Sequence, residues 1–233
     1  MFAHLEQKQL PFAVGTALTR TAWNVAKAET AAASKVFDRP TRFITHSMKV
    51  KPASKRDWNA EVSVMDEGRS KGAAPSTVAQ PHIFGGPRAM KRSEALLQQW
   101  GVMLPGYWIA PGAGMKLNAN GNIPSSEMQR ILSALNANFD KAMDSFHEKK
   151  KKKRSKNKLA GNIFAIRTKT GHLSPGVYER VGQYRLRPLL AFVRKPAYPK
   201  RWDFFGVGQK AAQSFKAEFE RAWREASLKY GAR

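Results

Sequence analysis

Histidine, carboxylate and lysine are the residue types here whose spacing could support chemistry. Histidines stand at His4, His46, His82, His147 and His172. A zinc protease-like site wants two of them one helical turn apart beside an acid, and none has that spacing. Asp140 and Asp144 are one turn apart on a helical stretch and so share a face. A nuclease acting on a polyanion needs clustered carboxylates to hold metal. This pair reads instead as balance for Lys141 and the basic stretch after Glu148. Asp66-Glu67 reads as a solvated turn closing a strand. PGAGMK, 111–116, has glycines and a lysine but lacks the full phosphate-loop spacing and a preceding strand. No hydrolytic triad can be named. The sequence therefore predicts no catalytic residue, no cofactor site and no metal site. The absence of cysteine excludes disulfides, thiolate zinc sites and cysteine nucleophiles.

The strongest charge signal is HEKKKKKRSKNK, 147–158, with eight Lys and Arg in twelve positions. Its cations are Lys149, Lys150, Lys151, Lys152, Lys153, Arg154, Lys156 and Lys158. Six adjacent basic residues repel one another, which predicts a solvated loop unless a polyanion neutralises it. These eight residues are the candidate contacts for DNA or for an acidic partner. The whole chain carries +24 from 41 Lys and Arg against 17 Asp and Glu. Such a surface attracts polyanions, with an affinity that salt weakens. With 42% hydrophobic residues, a packed core is also expected.

Several elements must position these groups. Pro11 suits a first helical turn, and Leu10, Val14, Ala17, Leu18, Thr21, Val25 and Ala28 recur at helical spacing. The spacing predicts a helix over 11–36, ended before Pro40. Trp58, Ala60, Val62 and Val64 alternate with polar residues, which predicts a strand. Residues 66–77 read as a polar loop, and 82–88 as a short apolar piece ending in a Gly-Gly turn. A short helix is expected over 90–104, ended by Gly101 or Pro105. Residues 105–124 read as an ordered loop pinned by Tyr107, Trp108, Ile109, Met115 and Leu117. Ser125-Ser126-Glu127 starts another helix, with Met128, Ile131, Leu132 and Leu135 as its stripe. Residues 162–168, 176–181 and 185–195 read as an antiparallel meander. Phe164, Tyr178, Tyr184 and Phe192 in it are expected to pack in a core. A bare aromatic sheet would instead suggest RNA, but the accompanying aromatic–glycine signature is missing. Phe204, Ala211, Phe215, Phe219, Ala222, Trp223 and Ala226 predict a closing amphipathic helix over 203–229.

The expected architecture is α+β in one domain over 1–233. A long N-terminal helix leads, an antiparallel sheet follows, and a long C-terminal helix closes. Residues 67–160 are expected to be an insertion holding two helices and the basic loop at 147–158. No run of about 18 apolar residues exists to span a membrane, and no secretory signal is visible in the first residues.

LPFAVGTALTRTAWNVAKAET, 10–30, resembles the opening helix of tailed-bacteriophage minor tail and neck proteins, including the lambda minor tail protein Z group. The block RAMKRSEALLQQWGVMLPGYWIAPGAGMKLNANGNIPSSEMQRILSAL, 88–135, is similar to a stretch common in uncharacterised phage and prophage proteins. GVYERV and RPLLAFVRKPAYPKRWDFFGVG resemble that group's strand–strand–helix ending. The resemblance implies a non-enzymatic virion protein of the head–tail junction or tail. It implies a homo-oligomeric ring around the DNA passage, portal, adaptor or tail proteins as partners, and assembly in the host cytoplasm. It carries over no catalytic residue. The alternative reading is a basic nucleic-acid-binding protein acting outside a virion.

Overall fold

A computed structural model describes residues 9–54, 56–67, 73–144 and 162–230, and the backbone alone for 137–144 and 230. The elements longer than two residues are, in chain order, α1 (Leu10–Val36), α2 (Arg42–Thr45), β1 (Met48–Lys51), β2 (Glu61–Val64), α3 (Pro75–Phe84), α4 (Arg92–Gln99) and β3 (Tyr107–Pro111). Then come α5 (Ser125–Asp144), β4 (Ile163–Ile166), β5 (Gly176–Val181), β6 (Arg185–Arg194), α6 (Phe204–Ala212) and α7 (Phe215–Tyr230). The fold is α+β, as the sequence predicts.

The chain packs as two units rather than one domain with an insertion at 67–160. One unit joins the residues up to Arg88 with those from Tyr198 onward; the other runs from Ala89 to Ala197. The boundary differs from the expected one because β3, within the expected insertion, pairs with β6 of the meander. α4, just before β3, and α5, between β3 and β6, pack on that same sheet, so the meander and the inserted helices share one core.

In the first unit, α1 begins with proline in its first turn and ends at Phe37, ahead of Arg39 and Pro40. Its buried face is made of Ala13, Ala17, Thr21, Ala22, Ala26, Glu29 and Ala33. The expected apolar residues Val14, Leu18 and Val25 are only half-buried. Small residues face inward because another helix lies against them. Ala13 and Ala17 meet Ala222 and Ala226 of α7, all four without exposure. Phe12, Phe215, Phe219 and Trp223 flank this seam. Arg20 clasps Glu225 with two hydrogen bonds of 3.0 and 2.8 Å. The expected helix over 203–229 is two helices, broken at Gln213-Ser214. Ser214 opens α7, its carbonyl accepting the Glu218 N–H at 3.0 Å, while Asn24 reaches its hydroxyl at 3.3 Å.

β1 and β2 form their own antiparallel pair, with Met48 opposite Val64 and Val50 opposite Val62; they do not join the meander's sheet. Met48 and Val64 pack on a core of Ala33, Ile44, Ala79, Ile83 and Trp202. Residues 75–84, expected as the end of a loop and the start of an apolar piece, form α3. Pro75 sits in its first turn and Pro81 within it. Two prolines and a histidine in ten residues mask the helical period that Ala79 and Ile83 retain.

In the second unit, four antiparallel strands run in the order β3, β6, β5, β4. Leu97 of α4, Met103, and Ile131, Ala134 and Leu135 of α5 pack with Ile163, Val177, Leu190 and Phe192 of the sheet. β3 falls where the sequence predicts an ordered loop, because its partner strand lies about eighty residues downstream and only that pairing makes it a strand.

Candidate functional site

Among the described residues the buried carboxylates are Glu29, Glu94, Glu179 and Glu218, and each is bound within its own unit, Glu218 by the Asn24 amide at 3.2 Å. Glu94 of α4 is fully buried. It accepts the N–H of Lys91 at 2.7 Å and of Ile109 at 2.8 Å. It thereby caps its own helix and satisfies a donor on edge strand β3. Glu179 of β5 accepts from Arg130 Nη1 at 2.8 Å and Arg187 Nε at 2.9 Å, with a further contact to Arg187 Nη2. Arg130 also binds Glu127. Burial opposes ionisation of Glu179, but the hydrogen bonds and charges of Arg130 and Arg187 prevail and hold its carboxyl below the usual range.

Glu29 of α1 is different. It is fully buried, and Oε2 accepts the indole N–H of Trp202 at 2.8 Å. Oε1 makes no hydrogen bond of normal geometry. Burial pushes its carboxyl up to about 7, against the lowering effects of Trp202 and the nearby Gly208 N–H. No arginine or lysine pairs with Glu29 among the described residues, in contrast to Glu179.

Trp202 begins a line of aromatic rings that reaches the surface. It meets Phe204 edge-on at 5.8 Å, and Phe204 meets Phe205 at 5.7 Å. Phe205 faces Phe84 at 6.2 Å. Phe37 lies on Trp202's other side at 6.1 Å and also contacts His82 at 4.6 Å. Burial and nearby Arg201 push the His82 imidazole below its usual range, so at neutral pH it is an uncharged member of this aromatic group.

At the surface end is a groove of about 370 Å³ lined by Val62, Val64, Ala79, Ile83, Phe84, Phe204 and Phe205, with Asp66, Ser76, Thr77 and Gln80 at its edge. Phe84 is 66% exposed and Phe205 59%. Two neighbouring phenylalanines this exposed cost free energy in water unless something covers them. The groove offers apolar contact and shape, with a single carboxylate, Asp66, among its lining residues. Among the described residues no three His, Asp or Glu side chains converge as a metal site would require. Also among them, no helix is long and apolar enough to cross a membrane.

The predicted contact residues Lys149, Lys150, Lys151, Lys152, Lys153, Arg154, Lys156 and Lys158 lie outside the described residues, as does His147. Tyr107 packs against the core of the second unit, as the sequence predicts, and so does Trp100. Tyr178 and Phe192 are buried in the sheet, but Tyr184 stands 90% exposed at the β5–β6 turn. The expectation that Tyr184 packs in the core is thus corrected: the strand alternation stops one residue short of it. Sequence alone does not mark Phe84 and Phe205, because an apolar residue signals a surface only once its exposure is known.

No protein-family model, curated protein or solved structure matches the chain.

Proposed function

We propose that this chain is a non-catalytic structural subunit of a tailed-bacteriophage virion, part of a neck or tail ring around the DNA passage. The observation that carries the assembly half of this reading is the exposed Phe84–Phe205 pair over its apolar groove. Contiguous exposed apolar surface on a folded protein is a contact surface for another molecule. Aromatic residues are enriched at the centres of such contacts. Trp23 and Trp58, 54% and 51% exposed, add further uncovered aromatic surface to the same unit. The phage half rests on the resemblance of 10–30, 88–135 and the chain's last strands to neck and minor tail proteins. The charge of +24 suits a subunit that lies near DNA or acidic neighbours.

The test is the mass of the purified chain by light scattering, alone and mixed with the neighbouring virion proteins, for wild type and for Phe84→Ser/Phe205→Ser. A discrete ring-sized species that the double variant loses, with its circular dichroism unchanged, supports the reading. A wild-type chain that stays monomeric in every mixture rejects it. Reversing the charge of Lys149 to Arg154 is expected to impair particle assembly or DNA retention; normal infectious particles from that variant would argue against any role for the basic run.

A further inference from the structure

The second unit carries a built basic finger that is separate from the lysine run. Residues 162–197 contain seven cations (Arg167, Lys169, Arg180, Arg185, Arg187, Arg194 and Lys195) and one carboxylate, Glu179. That carboxylate is buried and held by Arg130 and Arg187, so it presents little negative charge to solvent. The excess is therefore uncompensated, and part of it is focused on the β5–β6 hairpin.

The hairpin closes with Val181 opposite Arg185, and Gly182 takes φ +72° in the turn, a backbone state that favours glycine. Tyr184, at 90%, is the most exposed of the large apolar and aromatic side chains among the described residues. Arg180 and Arg185 flank it, both exposed, and neither makes an ion pair among the described residues. Paired residues of an antiparallel ladder share a face, and neighbours alternate. Arg185 thus lies with Val181 on one face, and Arg180 with Leu186 on the other. Arg180 is also braced, its guanidinium 5.9 Å from the centre of the Phe164 ring, which stacks on Tyr178. Its backbone N–H donates to Asn162 at 2.7 Å, where the chain enters β4 four residues after the last lysine of the basic run.

We infer that the hairpin tip, Arg180 to Arg185, is a contact site for duplex DNA. A two-stranded ribbon matches the width of the major groove. Cations on both faces of the ribbon suit the phosphates of the two strands that border the groove. Tyr184 leads the tip, its hydroxyl free to meet a phosphate oxygen, as tyrosine commonly does. Phosphate contacts carry no sequence information, so the binding inferred here does not depend on base sequence. The site stands whether or not the chain belongs to a virion ring, because it rests on the charge and geometry of the second unit alone.

The experiment is a salt titration of the full chain against a labelled 30-base-pair duplex, followed by fluorescence anisotropy. Arg180→Gln/Arg185→Gln is expected to weaken binding about tenfold at low salt and to reduce the log–log salt slope by about 2. Tyr184→Ala is expected to weaken binding several-fold while leaving the slope unchanged. Lys27→Gln/Lys35→Gln removes the same charge from exposed positions on α1 and is the control, expected to change little. All three sets of side chains are at the surface, so thermal melts should match the wild type. Equal losses from the control and the hairpin variant would overturn the assignment, since only net charge would then matter. So would a wild-type chain with no affinity for the duplex at low salt, or a single strand that competes better than the duplex.

Discussion

Glu29 and Trp202 are 173 residues apart in sequence, yet the indole N–H of one donates to the carboxylate of the other at 2.8 Å in a buried site. The bond fastens the C-terminal part of α1 to the segment that leads into α6. It also leaves a carboxylate buried with no opposite charge beside it, and that cost is borne in its ionised form.

The sign of the pH dependence follows. The Glu29 carboxyl titrates near 7 in the folded chain, against an ordinary value of 4.5. The folded state therefore holds a proton that the unfolded chain releases first. The stabilising contribution of the protonated form is complete below about pH 4.5. It falls as pH rises from there to about 7, and is flat above. Glu29→Gln keeps an acceptor for Trp202 and removes the titration. Melts from pH 4 to 8 should show the variant gaining on the wild type as pH rises, with a constant difference above about 7. A pH-independent difference would show that Glu29 does not titrate in this window.

Glu179 behaves in the opposite sense. Its carboxyl sits below the ordinary value because Arg130 and Arg187 outweigh its burial, so its contribution is present above the unfolded value and is lost as pH falls. Glu179→Ala leaves both guanidinium groups without their shared partner and should cost on the order of 2–3 kcal/mol, read from urea denaturation at pH 7. Because Arg130 keeps Glu127, Arg187 is the side chain expected to reorient.

The alanine seam between α1 and α7 sets a steric limit. Ala222 is fully buried against it, whereas Ala217, on the same helix, is exposed. Ala222→Leu should destabilise the first unit by about 1–3 kcal/mol through overpacking. Ala217→Leu should lie within about 0.5 kcal/mol of wild type. Equal melting temperatures for the two variants would place the seam elsewhere.

Gly176 opens β5 opposite Ala191 of β6. A Cβ built there would lie 2.3 Å from the Leu190 carbonyl oxygen, a backbone atom. Gly176→Ala should therefore cost about 1–3 kcal/mol and raise amide exchange along β5 and β6. Wild-type stability in this variant would mean that the strands pair further apart.

Local pattern was enough for those elements whose physics is local. The 3.6-residue period and Pro11 placed α1 to within a residue, and turn glycines bounded β5 and β6, because helices and hairpins are built from near neighbours. The α+β class followed from that pattern. Features that depend on distant partners were decided only by the tertiary fold. Hydropathy chose Val14, Leu18 and Val25 as the buried stripe of α1, but a closely packed partner helix selects for small size, so Ala13, Ala17 and Ala26 turned inward. β3 became a strand, and the chain two units, through pairing with β6. The lysine run was the loudest signal for a contact site, whereas the Phe84–Phe205 groove and the Arg180–Arg185 tip stayed silent, because exposure belongs to the folded surface. Composition by itself determined that the chain carries a large positive charge; only folding decided which carboxylates are neutralised inside, and therefore where on the described surface that charge faces outward.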